Sequence, residues 1–461
     1  MINYMKIILL FLFFADSSCT HQNKRLNKAS VIEKLLDSLY EAKIFNGAIV
    51  VAEGDSIIFS KGYGYANFKD SILFTPETLS DGGSLAKTFT AAALWKLQMQ
   101  GSLSLKDPVQ KFLPLYPYPT TSILDLITHN TGGLPDYDYF FPFISDTSIL
   151  TNNTMLTILG HEKPSLADES RQSFNYENCG IDLAALLIEK VTGKKYQQVL
   201  SEFFFHPLRI DSTRVRPPML ADIKASRAIG YQWENDSLVS NDIQDREGFY
   251  GSCNLHFTTL DLCKWGSSFY NGRLHDDIRK EGDQPGMIAG KQTGLTKLNW
   301  YYAKDKKAFY YWGNVSGFYS HLYHDDEKKF TIAFMTNTTL PFPLRQPLAT
   351  ALAEIMEYDN YDRTLFRLPS YLAIKNTDEI FGFYQTEKGD SIHVFRSSNG
   401  IHIQRSKGLR YNMYIQQDDI TGYVPGIDAW IGFTKENSKL VLHWNSVFLK
   451  ETARKNHSGP Q

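Results

Sequence analysis

The sequence predicts an α/β (α+β) fold: an antiparallel sheet flanked by helices with a large helical insertion, followed by a small all-β C-terminal region. Three observations predict it. First, β-prone runs stand early, at Ala48 to Ala52 and Ser56 to Ser60, and return near Ala308 to Tyr311, Phe318 to Tyr323 and Lys329 to Thr336. Second, the long stretch between them reads mostly as helix. Third, short alternating runs separated by turn signals take over beyond about residue 370. One sheet would then use both ends of its segment, with the helices inserted between.

The chain has 461 residues, 43% hydrophobic and 14% aromatic, which is ample material for a large core. Charged residues make up 21%, both signs are mixed along the chain, and the formal net charge is −2. No basic stripe argues for nucleic acid, and no acidic tail argues for a disordered partner segment.

The N-terminus has a different character. Lys6 precedes a short apolar run, Ile7 to Ala15, which is about half of the roughly twenty residues a membrane span needs. A positive start, a short apolar stretch and then small polar residues read as a secretory signal over residues 1–19. Its end, Ser17-Ser18-Cys19, resembles a bacterial lipoprotein signal, although Asp16 stands where such signals carry an aliphatic residue. The expectation is export, either to the periplasm or to a membrane through a lipidated Cys19; a plain signal with an incidental cysteine is the alternative. The other cysteines are Cys179, Cys253 and Cys263. They include no Cys-x-x-Cys pair and no metal-ligand spacing, so buried free thiols are expected.

The elements follow in order. Ser30-x-x-Glu33 has the form of a capping box, and Ile32, Leu35, Leu36 and Leu39 recur at helical spacing behind it. Two strands joined at Glu53-Gly54-Asp55 read as a hairpin. Ser84 to about Gln100 is rich in helix formers and stops at Gly101. Ile181 to Val191 is a further helix, ending at Gly193. The last strands of the first region meet at the polar turn Asp325 to Lys328, and a helix from about Leu344 to Tyr358 follows. These elements place one domain at 30–360. In the second, at 370–452, Ser391 to Phe395 and Ile401 to Gln404 alternate on either side of an Asn399-Gly400 turn, and Leu440 to Leu449 is another strand pattern.

Ser84-Leu85-Ala86-Lys87 is a Ser-x-x-Lys tetrad at a helix start. Residues i and i+3 share a helix face, which lets the ammonium approach the hydroxyl. A serine hydroxyl is a poor nucleophile until something takes its proton, and a desolvated lysine is one candidate base. The helix N-terminus also offers free N–H groups to a developing oxyanion. Taken alone the tetrad is common, and an N-cap serine with a surface lysine would account for it. Gly82-Gly83 before it and an apolar, alanine-rich helix after it favour a buried Lys87 instead. A second element, Phe174-Asn175-Tyr176-Glu177-Asn178, precedes the helix at Ile181. A tyrosine and an asparagine two residues apart can point the same way, one to relay a proton and one to bind a carbonyl. By itself it also reads as a helix-entry loop.

Together the stretches resemble a known family. Ser84 to Pro114, SLAKTFTAAALWKLQMQGSLSLKDPVQKFLP, is similar to the nucleophile helix of the serine β-lactamase-related and penicillin-binding proteins. That family includes class C β-lactamases, D-alanyl-D-alanine carboxypeptidases, D-aminopeptidases and some esterases. Ile123 to Tyr137 (ILDLITHNTGGLPDY), Phe174 to Tyr196 (FNYENCGIDLAALLIEKVTGKKY) and Gly251 to Trp265 (GSCNLHFTTLDLCKW) follow in the family's order, and Asn46 to Ala66 resembles its opening hairpin. The resemblance implies the β-lactamase/transpeptidase-like fold over about residues 30 to 360. It implies that Ser84 is acylated, that Lys87 and Tyr176 share the base role, and that Asn178 contacts the substrate amide.

The third motif of the family departs here. Lys or His, any residue, then Gly is the family pattern, and the best match is Tyr311-Trp312-Gly313. Gly313 fits a strand that substrate must approach. Tyr311 offers a hydrogen bond without a positive charge. The N–H groups of Asn314 and Ser84 are the expected oxyanion hole.

No Gly-x-Ser-x-Gly elbow, His-Glu-x-x-His or Walker-type loop occurs. His129 and His256 lie in family-like stretches and are taken as structural, and Glu177 is expected to face away from the site. The expected activity is serine hydrolysis of an amide or ester in a small molecule or peptide, through an acyl-enzyme and with no metal or cofactor. A non-catalytic binder or sensor that keeps the pocket is the alternative. Tyr311 favours the binder; Ser84, Lys87 and Tyr176 together argue against it.

Overall fold

The structure, a computed structural model, describes residues 27–456 apart from 173, 224–226, 235–236, 275, 304–306, 339, 341, 367–376, 388, 398–399, 406–409, 416–420, 425–428, 437–438 and 447–449. The proposed signal and Cys19 lie outside the described residues. Two compact units form: residues up to Leu340 with Leu352–Tyr361, and Pro341–Ala351 with the chain from Asp362 onwards.

The first unit opens with helix α1, residues 27–41. Ile32, Leu35, Leu36 and Leu39 are buried along one face, as their spacing predicts. The capping box does not form. The helix already runs through Ser30, because Lys28 and Ala29 are good helix formers and extend it past that point. Strands β1 (Gly47–Glu53) and β2 (Ser56–Tyr63) form the hairpin, with Gly54 at φ +60° in its turn. Lys61 of β2 holds Glu33 and Asp37 of α1, which fixes the helix against the hairpin.

Helices α2 (Ala86–Met99), α3 (Cys179–Thr192) and α4 (Thr259–Ser267) belong to the insertion. The chain then returns to the sheet through β3 (Pro285–Ile288), β4 (Lys291–Thr296), β5 (Tyr301–Tyr302), β6 (Ala308–Val315), β7 (Phe318–Asp325) and β8 (Phe330–Thr336). The order is β3-β4-β5-β6-β7-β8-β1-β2, antiparallel throughout. Pairing of β1 with β8, Gly47 opposite Thr336, joins the two ends of the segment. Strands β6 and β7 run longer than their sequence patterns, because their pairing continues to Val315 and Asp325, while β8 begins at Phe330, one residue later than its pattern.

Helix α2 is the centre of this unit. It is buried nearly all round, from Ala86 to Trp95 and at Leu97, as a helix apolar on every face must be. Phe89 stacks on Trp265 of α4 with ring centroids 4.0 Å apart, and Trp265 Nε1 donates to Thr88 Oγ1 at 3.0 Å. Stacking of this kind adds about 0.5–1.5 kcal/mol to the burial itself. The start of α2 is therefore held from behind.

The second unit carries a nine-stranded antiparallel sheet between Gly382 and Asn456. Tyr384, Ile392, Val394, Ile403, Ile431 and Leu442 are buried in its core. Strands Ser391–Ser397 and Gly400–Arg405 pair as the sequence predicts, with Ser397 opposite Gly400, while Asn399 lies outside the described residues. This is the β-lactamase/transpeptidase-like architecture with a curled all-β C-terminal region.

Candidate active site

Ser84 sits in a single 3-10 turn, Gly83–Leu85, that leads into α2. Gly83 has φ +51°, a conformation costly for any side chain. A Cβ there would also lie 2.8 Å from the Asn314 nitrogen of β6. The mirror constraint holds at Gly313, whose Cβ would fall 1.9 Å from Gly82 O and 2.8 Å from Ser84 N. Strand β6 thus lies backbone against backbone on the Ser84 turn. Gly313 is demanded by this packing, where the sequence reading gave only access of substrate as the reason. Ser320 Oγ of β7 donates to Gly82 O at 2.7 Å and pins the turn from the next strand. The Ser84 and Asn314 nitrogens are brought to the same seam.

Lys87 stands one helical turn on and is wholly buried. Its Nζ donates to Ser84 Oγ at 3.0 Å, to Asn178 Oδ1 at 2.8 Å and to Ser252 O at 3.0 Å. The three donors of an ammonium are matched by three acceptors. Taking such a charge out of water costs several kcal/mol, and hydrogen bonds to a charged group return roughly 1.5–3 kcal/mol each. That comparison explains how the site holds a buried lysine without a carboxylate in contact.

Tyr176 comes from the loop before α3 and is 36% exposed. Its hydroxyl donates to Ser84 Oγ at 2.9 Å. His129 stacks on its ring at 4.7 Å, and Lys87 Nζ lies 5.1 Å from the ring centre. His129 is buried, with Nε2 2.9 Å from Asn299 Oδ1, and burial together with the nearby Lys87 charge pushes it down to about 3. It is a neutral platform for the phenol.

Asn178 occupies the N-cap position of α3, but its side chain does not cap the helix. Glu177 does so, accepting from Gly180 N at 2.5 Å. The Asn178 amide is thereby released to face Lys87. Its other end, Nδ2, donates to Asp136 Oδ1 at 3.2 Å and Oδ2 at 3.4 Å. Glu177 points into the interior, as expected. Burial is the main cause that raises it to about 8, and the neighbouring Asp136 and Asp182 add to the rise. Burial likewise lifts Asp182 to about 7, against hydrogen bonds from Ser252 N at 2.8 Å and Tyr137 OH at 2.8 Å.

Tyr311 lies behind Tyr176. Its side chain is 1% exposed and stacks on Tyr301 at 5.3 Å. Burial, reinforced by the Tyr176 phenol, raises it well above the ordinary range. Its hydroxyl is buried beside the Tyr176 phenol.

Lys87 and Tyr176 thus meet at the Ser84 hydroxyl, Asn178 joins them through Lys87, Gly313 and Asn314 lie against the Ser84 turn, and Tyr311 stands beside Tyr176. Four further groups escaped notice: Ser252 O, Asp136, Asp182 and Asp81. Asp81 Oδ1 accepts from Gly83 N at 2.8 Å, directly before the nucleophile turn. Among the described residues no His, Cys, Asp or Glu group is placed to hold a metal, and Cys179, Cys253 and Cys263 are free thiols.

A sequence model of the Beta-lactamase family matches residues 29–357. The chain belongs to the beta-lactamase family. Members are hydrolases built on this fold. A penicillin-binding protein of Bacillus subtilis (strain 168) is 23% identical over 406 residues, covering 84% of this chain and 90% of the relative. The teichoic acid D-alanine hydrolase of Staphylococcus aureus is 27% identical over 235 residues, which is 50% of this chain and 56% of that protein. Among solved structures, the octameric penicillin-binding protein homologue from Pyrococcus abyssi superposes with a TM-score of 0.61 at 22% identity. That match covers 92% of this chain and 99% of the homologue, and it is a likeness of fold.

Proposed function

We propose that this protein is a serine hydrolase that transfers an acyl group from an amide or ester to Ser84 and then to water. One observation carries the reading. Ser84 Oγ lies within 3.0 Å of both Lys87 Nζ and Tyr176 OH, side chains delivered by two different segments to a half-buried hydroxyl. A folding role does not require that convergence, and acyl transfer does.

Ser84 Oγ bonds to the substrate carbonyl carbon while its proton passes to Lys87 acting as the free amine, directly or through the Tyr176 hydroxyl. The carbonyl oxygen gains the negative charge between the N–H groups of Ser84 and Asn314. The bond to the leaving group breaks as the same pair returns the proton to it. Water repeats the sequence on the acyl-enzyme and releases the acid. Asn178, held by Lys87 and Asp136, orients the substrate amide. Tyr311 supplies a neutral hydrogen bond.

A fluorescent fluorophosphonate tests the proposal. Covalent label on wild type that disappears in Ser84→Ala supports it. Absence of label with fluorophosphonate and with fluorescent penicillin would leave a binding protein instead. We also read residues 1–19 as an export signal, with Cys19 as a lipid attachment point. A mature N-terminus beginning at Met1 in a mass spectrum would end that part of the proposal.

A further inference from the structure

We infer that Asp182 is a positioning residue of the base: it holds the Gly251–Ser252 peptide so that the Ser252 carbonyl faces Lys87. The inference rests on the acyl-transfer reading above and concerns how that site is kept in register.

Two of the three acceptors around Lys87 are set from the start of α3. Asn178 supplies its own amide oxygen at 2.8 Å. Ser252 supplies a backbone carbonyl at 3.0 Å, from a loop that α3 fastens one turn further on. Asp182 follows Asn178 by one helical turn and lies on the same face. Its N–H donates to Asn178 O at 3.1 Å. A single turn of helix therefore carries both controls.

The fastening is made at residue 182. Oδ1 accepts from Ser252 N at 2.8 Å and Oδ2 accepts from Tyr137 OH at 2.8 Å. The Tyr137 hydroxyl also lies 2.6 Å from Ser252 Oγ. The backbone carbonyl of Asp182 accepts from Asn152 Nδ2 at 2.6 Å, and the same amide donates to Tyr250 O at 2.7 Å. Asn152 Oδ1 accepts from Tyr250 N at 3.0 Å. Between these points stands Gly251, at φ +120°, where a Cβ would fall 2.6 Å from Ala185 Cβ, so the loop lies directly on α3. Thr90 of α2 takes the other end of the Gly251–Ser252 peptide, donating to Gly251 O at 2.7 Å. With its oxygen and its N–H both engaged, that peptide is restrained from rotating, and the next carbonyl is aimed at Lys87.

Asp182 is fully buried. Burying a carboxyl group is costly, and an apolar side chain would fill the space without that cost. An apolar side chain could not, however, serve Ser252 N and Tyr137 OH together. Asparagine can. Its oxygen accepts from Ser252 N, its Nδ2 donates to the Tyr137 oxygen, and the Tyr137 proton turns to Ser252 Oγ. Asp182→Asn therefore keeps the clamp and removes only the charge.

Fluorophosphonate labelling of Ser84 in the full mature chain provides the test, read as rate and as final extent. Asp182→Ala should label to the same extent as wild type but about 10–100-fold more slowly, the cost of a misplaced base. Asp182→Asn should stay within about threefold of wild type. In a Lys87→Met background, Asp182→Ala should change the rate by no more than about twofold, because its effect runs through Lys87. An equal loss in both backgrounds would place its action elsewhere and overturn the inference. So would Asp182→Ala labelled at the wild-type rate, or Asp182→Asn as slow as alanine. Should Asp182→Ala not fold, Thr90→Val releases the other end of the same peptide and should show the same slowing and the same dependence on Lys87. Wild type that labels while the variants behave additively defeats this inference alone. Wild type that takes no label defeats acyl transfer and this inference with it.

Discussion

The Lys87 ammonium and the Asn178 amide oxygen meet at 2.8 Å across 91 residues of sequence. The contact joins the first turn of α2 to the entry of α3. It exists because Glu177 caps α3 and leaves Asn178 unengaged. A local capping choice thus decides a long-range contact at the nucleophile. Loop Gly251 to Cys253 completes the cage. Thr90 Oγ1 donates to Gly251 O at 2.7 Å, which sets the next carbonyl, Ser252 O, against Lys87.

Lys87→Met should separate chemistry from stability. The three partners of Lys87 are neutral, so removing the charge strands no counter-ion and relieves a desolvation cost of several kcal/mol. Two acceptors are left unmatched, at about 1–3 kcal/mol each. These terms oppose one another, and the expected change in unfolding free energy is within about 2 kcal/mol. Loss of the proton acceptor should slow labelling of Ser84 by about 100–10,000-fold. Urea denaturation and fluorophosphonate kinetics read the two effects. A variant labelled at the wild-type rate would remove Lys87 from the base role.

Much of this was legible in the sequence, for a physical reason. Ser84 with Lys87 and Tyr176 with Asn178 are each fixed by spacing within a single element, so a one-dimensional pattern records them. Ile32, Leu35, Leu36 and Leu39 show their helix in the same way. Asp81, Asp136 and Ser252 O left no such trace. Asp81 meets Arg216 and His256 only after three distant segments pair. Ser252 contributes a backbone carbonyl, which no side-chain pattern encodes. Ser30-x-x-Glu33 misled because the helix continues through Ser30 whenever good helix formers precede it.

Glu177 carries a pH signature. Its pKa rises from 4.5 to about 8 on folding, chiefly through burial. The folded state then binds more protons than the unfolded state between those values. Stability from this group is complete below pH 4.5 and is lost as pH rises toward 8. Asp182 acts in the same direction between 3.8 and about 7. Wild type should lose stability from pH 5 to 7. Glu177→Gln keeps an acceptor for Gly180 N and should show a shallower slope, by up to about 1.4 kcal/mol per pH unit. Parallel denaturation curves for the two proteins would contradict the protonated, buried Glu177.

Asp81 should hold the nucleophile turn. Its Oδ1 accepts from Gly83 N, while Oδ2 lies 3.8 Å from Arg216 Nε and 3.6 Å from His256 Nε2. Arg216 keeps Glu247 at 2.6 Å and Asn254 at 2.8 Å if Asp81 is removed. The main loss in Asp81→Ala is therefore the buried Gly83 N–H, worth about 1–3 kcal/mol. Asp81→Asn can still accept from Gly83 through its carbonyl oxygen and should restore most of it. Alanine and asparagine variants of equal stability would show that Asp81 does not support the turn.

Gly313→Ala tests the contact between β6 and the nucleophile turn. The added methyl would fall 1.9 Å from Gly82 O and 2.8 Å from Ser84 N, both backbone atoms that cannot swing aside. Either β6 or the Ser84 turn must move. Strand β6 is paired with β7 along its whole length, from Ala308 opposite Asp325 to Val315 opposite Phe318. The turn is pinned by single hydrogen bonds such as Ser320 Oγ to Gly82 O, so it is the part that should yield. Shifting the Ser84 nitrogen away from Asn314 spoils the pair of N–H groups assigned to the oxyanion. Removing one such donor costs about 100–1,000-fold in rate. The expected result is a fall of that size in kcat for whichever ester wild type cleaves, with substrate KM changed far less. A Gly313→Ala protein that kept its kcat would mean the oxyanion is held elsewhere.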